Sequence, residues 1–334
     1  MAFKDIVGNE RIKRVLQLSL QKGRLPNSLL FAGPEGVGKR RTAFVLAKAL
    51  CCRSREGDSC DACNTCRLID KAAREGKNHH PDVIEIGPER DVIKIEKMRE
   101  LKSLAYLRPI MGERRVFLVD QAETLNEEAA NSILKVLEEP PSFTHIILIT
   151  SNLDRILPTI RSRCRLLDFS PICAADIERE LERKGLAHDR AVILAALSRG
   201  NLEEALEADW DELAERRRAA WELFRALLRR EKASLFLENY AFLRRKDAEK
   251  ELPAVLEMFA TFGRDLVLLK EGGDPAYLLN PDYAETLRAE SRDLSLDRSL
   301  GFLAEVDAVL AGLDRSLNVG LLVSAFYSSI INRL

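Results

Sequence analysis

Apolar residues in the first half of the chain fall into short unbroken runs, separated by stretches with a 3.6-residue rhythm. That alternation is the pattern of a parallel sheet covered by helices on both faces. Five runs read as strands: 29–32, 83–86, 116–120, 146–150 and 166–169. Between the third and fourth, residues 127–139 set Ala130, Ile133, Leu134 and Leu137 on one helical face, and Pro140-Pro141 ends the helix. A second helix, about 95–107, follows the second strand and stops at Pro109. Beyond Pro171 the strand signals cease. A helical stretch over 174–208, broken at Gly200-Asn201, predicts a small lid at 171–209 after an α/β domain at 1–170. Residues 210–334 read as a separate all-helical domain, interrupted at Pro253, at 272–275 and at Asn280-Pro281.

Composition narrows the class. The 334 residues are 46% apolar and 31% charged, enough for two or three cores, and 52 basic residues against 53 acidic ones leave no global field of the kind that marks a nucleic-acid coat. No uncharged apolar run reaches the ~18–20 residues of a membrane span, and Met1-Ala2-Phe3-Lys4-Asp5 lacks the apolar core of a secretion signal, so the expected location is the cytoplasm, away from membranes. Arginine clusters at 216–218, 229–230 and 244–245 alternate with Glu and Asp, which predicts a solvated helix face. Phe302, Leu303, Val306, Val309, Leu310 and Leu313 form an apolar stripe that suits an intrachain core and a subunit interface equally.

Two motifs carry chemistry. Gly33-Pro34-Glu35-Gly36-Val37-Gly38-Lys39-Arg40 spells a phosphate-binding loop except at its last position. There a Ser or Thr hydroxyl ordinarily ligates Mg²⁺; a guanidinium has only donors and a fixed positive charge, and cannot ligate a cation. The strand 116–120 ends in Asp120, the form of a segment that helps hold the same metal, and the next residue is Gln121, an amide that orients water but cannot take its proton. Five of seven cysteines lie between Cys51 and Cys66. In a large chain in a reducing compartment such thiols point to metal. Cys51, Cys60, Cys63 and Cys66 give C-x8-C-x2-C-x2-C, a spacing at which four thiolates surround Zn²⁺, and Cys52 is an alternative first ligand. An iron–sulfur cluster is the competing chemistry, but the C-P element of ferredoxin motifs is missing. His79 and His80 are nearby but superfluous to four thiolates, and Cys164 and Cys173 carry no metal signal. By spacing alone, Arg161, Arg163 and Arg165 read as the alternating edge of the last strand.

The chain resembles bacterial clamp-loader subunits of the AAA+ class, those of DNA polymerase III. The likeness rests on Val7-Gly8-Asn9-Glu10, the loop from Gly33 to Lys39, the four-cysteine insertion at 51–66, the segment from Asn131 to Pro141 with its Leu-Lys-x-Leu-Glu-Glu-Pro-Pro core, and Ser162-Arg163-Cys164. It implies an AAA+ module with a five-stranded parallel sheet, a lid and a helical collar. It further implies that Arg163 is an arginine finger given in trans to a neighbour's ATP site, and that Cys51 is the first ligand of a structural Zn²⁺. The nucleotide-binding-like positions that it marks are Gly33, Gly36, Gly38, Lys39, Arg40, Asp120, Gln121, Asn152 and Glu203. Where ATP-using relatives have Gly-Ser-x-Arg, this chain has Gly200-Asn201-Leu202-Glu203, an acid in place of the arginine that touches the γ-phosphate. Arg40, Gln121 and Glu203 depart in the same direction, so the expectation is a non-hydrolysing subunit with weak or absent ATP binding. The implied partners are gamma/tau ATPase subunits, a delta subunit, primer-template DNA through backbone contacts, and a sliding clamp touched indirectly or weakly. The competing readings are a gamma/tau-like ATPase with a degenerate working loop, and a zinc-stabilised AAA+ adaptor outside replication.

Overall fold

The computed structural model describes residues 1–53, 57–229, 248–292, 294–314 and 328–329. Its apolar runs become five strands, β1 Ser28–Ala32, β2 Val83–Ile86, β3 Arg115–Val119, β4 Thr144–Thr150 and β5 Arg165–Asp168, in the order β2-β3-β4-β1-β5 with every pairing parallel. Each expected strand is present within two residues of its predicted ends. The differences arise because pairing, not hydropathy, sets where a strand begins: Arg115 opens β3 opposite Thr144, and Arg165 opens β5 opposite Leu29. β1, β3 and β4 are buried at every residue, whereas β5, at the sheet edge, is mostly exposed.

Helices α1 Glu10–Gln21, α2 Lys39–Cys51, α3 Asn64–Glu75, α4 Ile95–Ala105, α5 Glu127–Glu138 and α6 Pro158–Arg161 accompany the sheet. The apolar face read for α5 is realised. Ala130, Ile133 and Leu137 are buried, Leu134 packs at the margin, and all four join Leu30, Phe117, Ile146 and Leu148 of the sheet in one core. The Asn126 side chain accepts from the Ala129 amide at 2.8 Å and so caps the helix start. Each fully buried aliphatic here contributes about 1.5–3 kcal/mol, which is why a pattern of about three turns in sequence suffices to seat α5.

Contacts divide the chain into two compact units: 1–184 with 198–206, and 185–197 with 207–334. Within the first, α7 Ala174–Arg183 and α9 Leu202–Glu207 complete the sheet module. The second contains α8 His188–Leu197, α10 Trp210–Leu228, α11 Ala248–Lys270, α12 Ala284–Ser291 and α13 Leu296–Asp314. Its core gathers Trp221, Phe224, Phe259, Phe262 and Phe302. Phe302, Val306 and Val309 are buried there and Leu310 packs against them, so this part of the apolar stripe serves an intrachain core. The side chain of Leu313 lies outside the described residues.

The solvated-face expectation fails at one arginine. Arg216 makes an exposed pair with Glu212 at 2.6 Å, but Arg217 is buried, bonded to both oxygens of Asp282 (2.8 and 2.9 Å) and to Asn280 at 3.0 Å. A residue one step along a helix turns by 100°, so adjacent arginines face different media. Arg229 pairs with Glu290 at 2.6 Å, while Arg230, Arg244 and Arg245 lie outside the described residues. Among the described residues no helix is long and apolar enough to cross a membrane.

Candidate functional site

Parallel sheets of this kind bind ligands outside the carboxyl ends of their strands. There β1 runs into the loop 33–38 and α2 starts at Lys39. A cleft of about 510 Å³ opens beside it, lined among others by Glu35, Gly36, Gly38, Lys39, Arg40, Asp120, Gln121, Glu123 and Glu203. Gly33 has φ +142° and sits so close to the Phe169 carbonyl that a Cβ would lie 2.2 Å from its oxygen. Gly36 has φ +66°, and a Cβ there would meet the Asn201 side chain at 1.5 Å. The loop and the start of α9 are therefore in direct contact. The Leu202 amide donates to the Gly36 carbonyl at 3.1 Å, and Asn201 accepts from the Glu204 amide at 3.0 Å as the cap of α9.

Charges in the cleft are engaged with one another. The Lys39 ammonium donates to the Gly33 carbonyl at 2.7 Å and to the Pro34 carbonyl. Burial lowers its pKa, and Glu123, Asp120, Glu35 and Glu203 oppose that shift. Arg40 forms a fork with Glu85, Nε to Oε1 at 2.5 Å and Nη2 to Oε2 at 2.8 Å, and donates from Nη1 to the Ala73 carbonyl at 3.2 Å. The same guanidinium lies 4.0 Å from the Asp120 carboxylate and 4.9 Å from the centre of the Phe44 ring. Its pKa rises, first through the bond to Glu85. Asp120 is raised by burial and by Glu85, with Arg40 pulling the other way. Gln121 adopts a left-handed backbone at φ 53°. Burial tends to raise Glu123, but bonds from the Ser151 hydroxyl (2.6 Å) and amide (3.1 Å) hold its carboxyl below the usual range.

Of the nucleotide-like positions, Gly36, Gly38, Lys39, Arg40, Asp120, Gln121 and Glu203 meet in this cleft. Asn152 turns elsewhere: its Oδ1 accepts from the amides of Asp154 (3.1 Å) and Arg155 (3.3 Å) and caps the short turn after β4. Glu85 escaped the sequence reading. Its signal was an acid inside the apolar strand Val83–Ile86, where burial demands a partner.

Arg163 lies away from this cleft's lining, in the turn between α6 and β5. Arg161 ends α6 and Arg165 opens β5, so the three arginines occupy a helix, a turn and a strand and form no alternating edge. Arg163 Nε donates to Glu138 Oε2 at 2.9 Å, and Nη1 donates to the Thr159 carbonyl at 3.1 Å and, at 3.5 Å, to the Ser162 hydroxyl. Cys164 beside it is pushed up to about 12 by burial, so it stays a thiol.

The cysteine knot corrects one expectation. Cys52, Cys60, Cys63 and Cys66 bring their sulfurs within 4.8 Å of one another; Cys51 is not among them. α2 ends at Cys51, whose Sγ faces the Arg114 carbonyl at 3.7 Å and whose pKa burial raises to about 12. Cys52 leaves the helix with extended backbone (φ -71°, ψ 136°) and accepts from the Cys60 amide at 3.4 Å. Consecutive residues point apart, so one thiol enters the cluster and the other the core. The donor set fits zinc: the sulfurs of Cys60 and Cys66 are 3.9 Å apart, against roughly 3.8 Å for the edge of a ZnS₄ tetrahedron with bonds of about 2.3 Å. Amides of Cys63 and Cys66 donate to the sulfurs of Cys60 and Cys63 at 3.4 Å each. Bonds from the Ala62 and Cys63 amides lower the Cys60 pKa to about 6, whereas burial raises that of Cys66.

The sequence profile of a family described as "DNA polymerase III, delta subunit" matches residues 8–173, which span the sheet, the phosphate loop and Arg163. DNA polymerase III subunit delta' of Bacillus subtilis is 29% identical over 265 residues, 79% of this chain and 78% of that protein. The gamma subunit of Buchnera aphidicola is 38% identical over 164 residues, 48% of this chain and 43% of its own length. The tau subunit of Escherichia coli is 33% identical over 211 residues, 61% and 32% respectively, so the chain spans under half of these gamma and tau relatives. The matched segment carries both the loop and the Ser162-Arg163-Cys164 turn on a five-stranded parallel sheet, and over it the chain matches the clamp-loader subunits of DNA polymerase III.

Proposed function

We propose that this chain is a delta-prime-type subunit that does not hydrolyse ATP itself and assists the ATP-dependent loading of a sliding clamp onto primed DNA. In this reading it supplies Arg163 in trans to the active site of a neighbouring gamma/tau subunit. The observation that carries the proposal is the bridge from Arg40 to Glu85 and Asp120. A metal ion held beside the β- and γ-phosphates needs a hydroxyl and a carboxylate; here a guanidinium stands in the hydroxyl's position and faces the carboxylate. Gln121 and Glu203 in the same cleft support the reading, since the amide cannot take a proton from water and the acid cannot neutralise a γ-phosphate. An arginine delivered to a neighbour offsets the charge that develops on the transferring phosphoryl, worth roughly 10³–10⁵ in rate in GTPases.

The remaining roles follow from this assignment. Cys52, Cys60, Cys63 and Cys66 would hold a structural Zn²⁺, closed to substrate, that orders the insertion. Residues 171–209 act as lid and 210–334 as the collar that joins the delta and gamma/tau subunits, and the assembly contacts primer-template DNA through phosphates. The test is to assay the purified chain alone with Mg²⁺ and ATP, then the reconstituted loader with wild-type or Arg163→Ala chain. Background turnover alone and a slowed, DNA-stimulated ATPase in the variant loader are expected. Metal-dependent turnover by the isolated chain that Lys39→Ala abolishes establishes the gamma/tau-like alternative instead.

A further inference from the structure

We infer that Glu138 is a positioning residue that sets the angle at which Arg163 is presented to the neighbouring active site; this rests on the trans reading given above. A guanidinium on a long flexible stem is useful to a neighbour only if its plane is fixed before the subunits meet. Here two of its three nitrogens are already engaged. Nε donates to Glu138 Oε2 at 2.9 Å and Nη1 to the Thr159 carbonyl at 3.1 Å. Nη2 has no hydrogen-bond partner among the described residues. The two anchors sit on different edges of the planar group, so together they define its orientation and leave the Nη2 hydrogens as the outward tip.

Both anchors stand on one core. Glu138 is the last residue of α5, held at that station because Pro140-Pro141 ends the helix. One and two residues earlier, Leu137 and Val136 are buried. α6 opens with Pro158, and its Ile160 is buried in the same cluster, one residue after Thr159 and three before Arg163. The Arg163 amide donates to the Ile160 carbonyl at 3.0 Å. Glu138 itself is 59% exposed, so its ion pair adds little to folding, and its effect is geometric. The arrangement also gives the first acid of Leu137-Glu138-Glu139-Pro140-Pro141 and the arginine of Ser162-Arg163-Cys164 one shared task.

The experiment is a double-mutant cycle in the reconstituted loader with gamma/tau and delta subunits, DNA-stimulated ATP hydrolysis being measured as kcat and KM per assembled complex. Glu138→Ala is expected to lower kcat roughly tenfold, as a misplaced catalytic group does, with KM for ATP unchanged. Glu138→Gln, which keeps an acceptor for Nε, restores most of the rate. In the Arg163→Ala background, Glu138→Ala has no further effect. A Glu138→Ala loader that is as fast as wild type, or faster, overturns the inference; so does a Gln variant as slow as Ala, or an equal loss in the Arg163→Ala background. If Arg163→Ala leaves the rate unchanged, the trans reading has failed first. Glu138→Ser takes the place of the alanine variant should the latter not assemble.

Discussion

Arg40 and Arg163 are similarly exposed, 39% and 31%, yet they are wired in opposite senses. Arg40 turns its fork onto Glu85, gives its remaining nitrogen to the Ala73 carbonyl and lies against Phe44. Arg163 is held on two nitrogens and keeps the third outward. Accessibility does not separate the two; the direction of unsatisfied donors does. A guanidinium with every nitrogen engaged within its own chain neutralises a site, whereas one with a nitrogen left over is available to a phosphate brought by another molecule.

The comparison breaks most visibly at Arg163. Replacing it with Ala should slow hydrolysis at the adjoining site of the loader by roughly 10³, and Lys should recover little, because an ammonium lacks the fork that Glu138 and Thr159 orient. An unchanged rate would mean that the outward tip meets nothing. Zinc gives the next largest effect. Cys52→Ser should reduce zinc affinity by more than roughly 100-fold, beyond the cost of losing a supporting contact, while Cys51→Ser keeps the metal. Metal analysis of the purified variants decides between them. Because α2 runs from Lys39 to Cys51, removal of zinc should speed amide exchange in the helix that carries Arg40 and leave the turn of Arg163 unchanged. A smaller effect is expected at Glu85. Its replacement by Ala orphans a half-buried guanidinium and should cost the isolated chain about 1–2 kcal/mol in urea unfolding, at the low end because Arg40 keeps 39% exposure. Loader ATPase should not respond.

How legible this was in the sequence depends on how local each determinant is. The sheet was readable because unbroken apolar runs such as 146–150 have one sensible fate. The phosphate loop and the Ser162-Arg163-Cys164 turn were readable as contiguous letters. What escaped was set by partners distant in sequence. Glu85 lies 45 residues from Arg40, and Glu138 lies 25 from Arg163. Cys51 and Cys52 are adjacent and chemically identical, and only the point at which α2 stops decides which thiol turns toward Cys60. Asn152 was misplaced for a related reason: an Asn just past a strand suits a cleft and suits an Asx turn, and the short turn to Arg155 claimed it.

The smallest expected effect is the one that tests the other side of the comparison. In an ATPase the loop lysine binds the β- and γ-phosphates, and its loss abolishes turnover. Here Lys39 is folded back on the carbonyls of Gly33 and Pro34, within a cleft where Arg40 already answers Glu85. Lys39→Ala should therefore leave the kcat of the assembled loader within about twofold of wild type, since in the proposed reading no phosphoryl transfer depends on this cleft. The variant deprives two loop carbonyls of a donor, and water at the open cleft replaces it, so a large loss of stability is not expected either. A tenfold drop in kcat with assembly intact would place a working nucleotide beside Arg40, and the division between an inward arginine and an outward one would no longer hold.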